Sequence, residues 1–187
     1  MTHALIALGA NYAAEYCQLL SRIKAAVTQI ECEDVTVLAT SRFYFTPCFP
    51  TGSGPDYVNA AVFVSTCLSG QGLLRHLHGI EAAFGRERKA RWGARTLDLD
   101  LLSHGESVLP DRETYDRWRN LPFEQQRELA PEELILPHPR LHERAFVLIP
   151  LADIAPDWMH PVLGHTVTQM LDALPESEKK AVRPAET

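Results

Sequence analysis

The chain predicts an α+β fold with a βαββαβ core, the split β-α-β or ferredoxin-like arrangement, in which helices pack on a mostly antiparallel sheet. Three observations predict it. The first hundred residues read in the order strand, helix, strand, strand, helix, strand. The strand segments run apolar or alternate with period two, while the helical ones repeat every three to four residues. A length of 187 residues suits one core, and no internal repeat divides it.

Each element has its own signal. Residues 3–8 are nearly continuously apolar, as a strand buried on both faces requires, and Gly9-Ala-Asn11 supplies a turn. Between 14 and 30, Leu19, Ile23, Ala26, Val27 and Ile30 recur at helical spacing. Residues 35–46 are rich in β-branched and aromatic side chains and stop at Pro47, which reads as one strand. Residues 51–55 are a loop on composition. In 57–66 the alternation puts Val58, Ala60, Val62 and Val64 on one face and Tyr57, Asn59, Ala61 and Phe63 on the other. Leu73, Leu77, Ile80 and Phe84 mark the second helix, with Gly85 as its C-cap. Residues 97–102 form the next strand.

Beyond the core, 111–133 is charged, holds two prolines and reads as an insertion with a short amphipathic helix. Residues 145–151 are apolar, as helix or strand, and a last amphipathic helix spans about 167–174. These later elements would cover the second face of the sheet, giving an α-β-α sandwich. The expected organisation is a single domain over 1–174, with 175–187 a polar, mobile tail.

Composition excludes several classes. With 18 Lys+Arg against 24 Asp+Glu the net charge is −6, so a sequence-independent nucleic-acid coat is not expected. The apolar run 4–10 is too short to cross a bilayer, and no basic segment precedes it as in a signal peptide. Cys17, Cys32, Cys48 and Cys67 form no Cys-x-x-Cys pair and are expected as reduced, mostly core thiols in a cytoplasmic protein. His76-x-His78 points apart on a helix, and Pro139 interrupts His138-x₃-His142, so neither pair reads as a zinc site.

The segment 85–100 departs most from the chain average. From Gly85 to Arg95, Arg86, Arg88, Lys89, Arg91 and Arg95 stand against Glu87 alone, a local charge of +4, with Gly85 and Gly93 bracketing the run. Arginine forks grip phosphate oxygens bidentately. Immediately downstream Leu97, Leu99 and Leu101 alternate with Asp98 and Asp100. Two carboxylates on one strand face lie roughly 7 Å apart, close enough to share a magnesium site completed by water and substrate phosphates. Arginines and cations around a polyphosphate are the apparatus of phosphoryl transfer.

These residues carry a resemblance that spans nearly the whole chain: Ala7-Leu-Gly-Ala-Asn11, Phe43-Tyr-Phe-Thr-Pro47, Pro55-Asp-Tyr-Val-Asn-Ala60, Ile80-Glu81, Gly85-Arg86, Arg91-Trp-Gly-Ala-Arg-Thr-Leu-Asp-Leu-Asp100, Leu136-Pro-His-Pro139, Arg144-Ala-Phe146 and Pro150-Leu-Ala-Asp-Ile-Ala-Pro156. The chain resembles the 6-hydroxymethyl-7,8-dihydropterin pyrophosphokinases of folate biosynthesis. The resemblance implies transfer of pyrophosphate from ATP to the pterin hydroxymethyl group, with AMP released. It implies two Mg²⁺ ions on Asp98 and Asp100, and Arg86 and Arg95 as the catalytic arginines on the transferring phosphates. ATP would be held by Arg88, Arg91, Trp92, His138 and Arg144, with His78 and Glu81 nearer the nucleoside. Tyr57 and Phe146 would stack the pterin, Asn59 would read its edge, and Thr46, Pro47 and Phe49 would line the pocket. The two small molecules are the expected partners, with no nucleic acid or membrane and the chain acting as a monomer. Cys48, Ala94 and Pro139 depart from residues common in the family, and Glu133 lies near where some members carry a nucleotide-contacting arginine.

Two rivals share single features. A metal-dependent nucleotide-sugar transferase also uses Asp-x-Asp, but in a larger α/β domain. An RRM-like RNA-binding module shares βαββαβ, yet 57–66 lacks the exposed aromatic and basic pattern that module needs.

Overall fold

Alternation along the strands decides what each face of the sheet does. A computed structural model describes residues 1–11, 16–48, 55–85, 96–122, 124–125 and 129–185. Its core is β1 (Thr2–Ala10), α1 (Tyr16–Ile30), β2 (Val35–Thr40), β3 (Tyr44–Thr46), β4 (Tyr57–Thr66), α2 (Gly70–Ala83) and β5 (Asp98–His104). The strands pair antiparallel in the order β5-β1-β4-β3, with β2 lying on β4 beside β3.

One face is hydrocarbon throughout. Ile6 and Leu8 of β1, Val58, Val62 and Val64 of β4, and Leu99 and Leu101 of β5 are buried. They pack under Leu19, Ile23, Ala26 and Ile30 of α1 and Leu73, Leu77 and Ile80 of α2. Each fully buried Leu or Ile of this layer stabilises by about 2 kcal/mol. Ser69 caps α2 by accepting from Gly72 N, and the helix ends at Gly85, whose φ of +76° an L side chain rarely adopts.

The other face changes character along its length. At one end Leu5, Ala61 and Leu102 pack against Val147, Leu148 and Leu151 of α4 (Ala145–Ile154) and Val167 and Met170 of α5 (Val167–Asp172). The apolar stretch 145–151 is therefore helix, the second helical layer of the α-β-α sandwich. At the other end, around Gly9, Asn59 and Asp98, the same face is polar.

Four local outcomes differ from the sequence-based expectation. The strand expected over 35–46 is broken: Ser41 Oγ accepts from Ala61 N (2.9 Å) and donates to Arg42 O (2.7 Å), a side chain taking over a backbone role in the ladder. The segment 111–133 holds the short helix expected of it, α3 (Arg112–Arg119), capped by Asp111, but is not set apart from the core, because its Tyr115 is fully buried. The tail expected to be mobile forms α6 (Glu176–Ala181) and a two-residue β6 (Arg183–Pro184) on β3, where Ala185 N donates to Phe43 O (2.8 Å). The open backbone groups of an edge strand supply that pairing site, and composition does not reveal them. Cys48 is buried, whereas Cys17, Cys32 and Cys67 are exposed rather than in the core.

Candidate active site

The polar end of the sheet is organised by strand register. Gly9 of β1 lies between Asn59 of β4 and Asp98 of β5, and Tyr44 of β3 pairs with Asn59. Directly opposed residues share a face, so Tyr44, Asn59, Gly9 and Asp98 form one row across four strands. The next row on the same face holds Ala61, Ala7 and Asp100. Asp98 and Asp100 thus stand together, half-buried, on the same face as the amide of Asn59 across β1. With strands about 4.8 Å apart, Asn59 and Asp98 are separated by roughly 10 Å.

Gly9 makes this row possible. A Cβ there would meet Asn59 Oδ1 at 2.9 Å, so the amide lies across β1 only because glycine leaves the space. Thr46, paired with Tyr57 on the same face, orients the amide: Asn59 Nδ2 donates to Thr46 Oγ1 at 2.6 Å. Asn59 and Thr46 are both buried at 6% exposure, so this bond is shielded from competing water. Tyr57 is half-buried one alternation further along β4.

The far wall comes from the chain after β5. His138 N donates to Leu102 O (2.8 Å), two residues past Asp100, and this docks the His138 segment on the carboxylate strand. Burial is the main cause that pushes the His138 imidazole down to about 4, with Arg144 and Arg140 adding to it and Asp100 opposing. Arg144 lies over the ring of Phe146, 5.7 Å from its centroid, in the first turn of α4. Phe146 is 39% exposed, an open aromatic surface at the start of the helix that covers this face.

The family model for 7,8-dihydro-6-hydroxymethylpterin-pyrophosphokinase, HPPK, matches residues 5–156, from the middle of β1 to the end of α4. The chain belongs to the HPPK family. Three curated relatives carry the name 2-amino-4-hydroxy-6-hydroxymethyldihydropteridine pyrophosphokinase. That of Synechocystis is 36% identical, over 90% of this chain and 74% of the relative. That of Methylorubrum extorquens is 34% identical over 95% and 96%, and that of Haemophilus influenzae 35% identical over 92% and 95%. Among solved structures, wild-type Plasmodium falciparum HPPK-DHPS superposes with a TM-score of 0.59 at 16% identity, over 92% of this chain and 43% of that one. A second HPPK-DHPS, in complex with substrates, gives 0.68 at 14% identity over 92% and 43%. This chain spans less than half the length of those two, and the likeness to them is one of fold.

Within the HPPK frame the structure brings together Thr46, Asn59 and Tyr57 on one side and Asp98, Asp100, His138 and Arg144 on the other. Pro47 follows Thr46 directly at the end of β3. His78 and Glu81 sit on α2. Glu81 is 2% exposed and its Oε1 accepts from Leu99 N (2.8 Å), so it fixes the strand between the two aspartates rather than standing open to a nucleoside. Phe49, Arg86, Arg88, Arg91, Trp92 and Arg95 lie outside the described residues. The flanks of the arginine segment are described: Gly85 closes α2, and Thr96 O accepts from Arg22 Nη1 (3.3 Å) just before Leu97 enters the core.

Sequence reasoning missed two groups here. Gly9 reads as turn punctuation, although its place opposite Asn59 follows once β1 and β4 are put in register. Asp153 gives no motif signal beyond Pro150-Leu-Ala-Asp, yet its carboxylate accepts from Arg42 N, Nε and Nη2 and from Tyr44 OH. Burial alone would raise the Asp153 carboxyl; the bonds from Arg42 and Tyr44 outweigh it and hold the group below the ordinary carboxylate range. Asp153 thereby ties α4 to β3, the strand that supplies Thr46.

Proposed function

We propose that this HPPK transfers pyrophosphate from ATP onto the hydroxymethyl group of 6-hydroxymethyl-7,8-dihydropterin, releasing AMP, in folate biosynthesis. The observation that carries this is the row Asn59–Gly9–Asp98, which sets an edge-reading amide and a carboxylate pair on one sheet face about two strand spacings apart. A pterin whose edge is read at Asn59 extends its hydroxymethyl arm toward Asp98 and Asp100.

Tyr57 and Phe146 offer the two ring faces for the flat bicycle, and Thr46 and Pro47, with Phe49 by the family resemblance, would line its pocket. Thr46 Oγ1 accepts from one Nδ2 hydrogen of Asn59, so the amide meets the ligand in one fixed orientation. The donors at Asp98 and Asp100 fit Mg²⁺, which takes one or two carboxylates and fills its remaining positions with water and phosphate oxygens. Among the described residues no cluster of three or more His, Cys, Asp or Glu offers an alternative cage. Bound there, two magnesium ions would supply charge neutralisation on the triphosphate. Arg86 and Arg95 would hold the transferring phosphates, while Arg88, Arg91, Trp92, His138, Arg144 and His78 hold the rest of ATP. Glu81 contributes by fixing β5. Holding hydroxyl and β-phosphorus together makes the step effectively intramolecular, and no side chain stands out as a general base.

Incubation with Mg²⁺, ATP and the hydroxymethyldihydropterin should yield AMP and the pterin diphosphate. EDTA should stop it. Formation of ADP, or ATP turnover that does not need the pterin, would count against the proposal.

A further inference from the structure

We propose that Arg140 is a positioning residue, through which helix α3 of the charged segment 111–133 sets the pose of His138 beside Asp100 and Arg144. This rests on the assignment of His138 to ATP. Over its described residues the segment is not a loose excursion. Its base is pinched by a backbone bridge, Leu109 N to Leu136 O (2.8 Å) and Leu136 N to Leu109 O (3.2 Å). Its body is anchored by the fully buried Tyr115, whose hydroxyl meets His160 Nε2 at 3.1 Å. His160 is held in turn by the amides of Val162 and Leu163, which both donate to its Nδ1. α3 is thus fixed to the C-terminal part of the molecule.

Arg140 joins that fixed helix to the site. Its Nη1 donates to Arg119 O (2.9 Å), a last-turn carbonyl that the helix cannot satisfy itself. A cation at this end also complements the helix dipole. Its Nε pairs with Glu143 at 2.6 Å, and the side chain is 14% exposed. Its backbone N donates to His138 Nδ1 (3.2 Å). A ring that accepts at Nδ1 carries its single proton on Nε2, so Nε2 is left as the donor, the form suited to a phosphate oxygen. The Arg140 side chain, held between Arg119 and Glu143, therefore keeps in place the backbone N–H that orients the His138 ring and leaves its proton on Nε2. The sequence leaves the segment without a role; among its described residues the link runs through Arg140 to His138, on the side proposed to hold the nucleotide.

The test compares the full-length wild type with Arg140→Ala, Arg140→Lys and Tyr115→Phe. Binding of α,β-methylene-ATP with Mg²⁺ is measured by calorimetry, pterin binding by fluorescence, and the His138 tautomer by ¹⁵N NMR. Arg140→Ala should weaken the nucleotide analogue about tenfold and raise the KM for ATP alike, with pterin affinity changed by less than about twofold. The unprotonated Nδ1 signal of His138 should move toward a tautomer average, and Arg140→Lys should recover part of the loss. Tyr115→Phe, which trims one hydroxyl, should shift nucleotide binding in the same direction by about threefold. The inference is overturned if Arg140→Ala lowers the melting temperature but leaves nucleotide binding and the His138 signal unchanged. It is equally overturned if both ligands weaken together in Arg140→Ala and Tyr115→Phe. A wild type that takes no nucleotide analogue removes the functional assignment instead, and is recognised as such because no variant is needed to see it.

Discussion

Gly9 and the two aspartates act through single atoms on two adjacent strands, β1 and β5. Replacing Gly9 by Ala puts a methyl 2.9 Å from Asn59 Oδ1. Either the amide or the strand must give way. Gly9→Ala should weaken pterin binding about tenfold in a fluorescence titration, while calorimetry shows nucleotide binding little changed. Asp98→Asn and Asp100→Asn keep the shape of each side chain but remove the charge a magnesium site requires. Each should cost roughly a thousandfold in the Mg²⁺-dependent rate of AMP formation, with the thermal midpoint retained because both side chains are only half-buried. Near-wild-type turnover in either would remove the metal assignment. These aspartates are legible in the sequence because a period of two, set against Leu97, Leu99 and Leu101, leaves them one face to share. Gly9 is not legible, because its neighbour Asn59 lies fifty residues away and only register brings them together.

Elements are held in place by bonds that propensity does not describe. β2 and β3 are separate because the Ser41 hydroxyl enters the ladder at Ala61, and no hydropathy pattern signals such a substitution of side chain for backbone. α4 reads equally well as strand from its Val, Leu and Ile content; packing on Ala61 and Leu102 decides for helix. At its far end Asp153 receives the Arg42 and Tyr44 donors, and burial together with that carboxylate pushes the Tyr44 hydroxyl up to about 12. Asp153→Ala leaves the Tyr44 hydroxyl in a buried place without its acceptor. It should destabilise the fold by about 2 kcal/mol in urea denaturation and blunt pterin binding more than nucleotide binding, because β3 carries Thr46. Equal loss for both ligands would show that the tie serves stability alone.

Across the whole molecule, the titration of buried histidines links folding to acidity. His160 is fully buried, and its imidazole is pushed down to about 4, chiefly by burial. In the unfolded chain it titrates near 6.5, so below that value the unfolded state binds the proton first. Stability from this group is therefore complete above about pH 6.5 and is lost as pH falls toward about 4, by about 3 kcal/mol. Urea midpoints at pH 7 and 4.5 should show the drop, and His160→Gln should flatten it. The division of the sheet into one hydrocarbon face and one half-polar face was readable from alternation alone, and the βαββαβ order with it. The α3 tether and the β6 pairing were not, since both depend on contacts between segments far apart in sequence and polar in composition.

Strand spacing in a packed sheet is not adjustable, and Asn59, proposed to read the pterin, and the Asp98–Asp100 pair stand on β4 and β5, the two strands that flank β1. β1 is in effect a ruler of fixed length. A pterin with a two-carbon alcohol would seat its ring as before and overshoot by more than an ångström, a misplacement that costs on the order of a hundredfold in rate. Selectivity for the one-carbon arm then needs no contact to that arm at all.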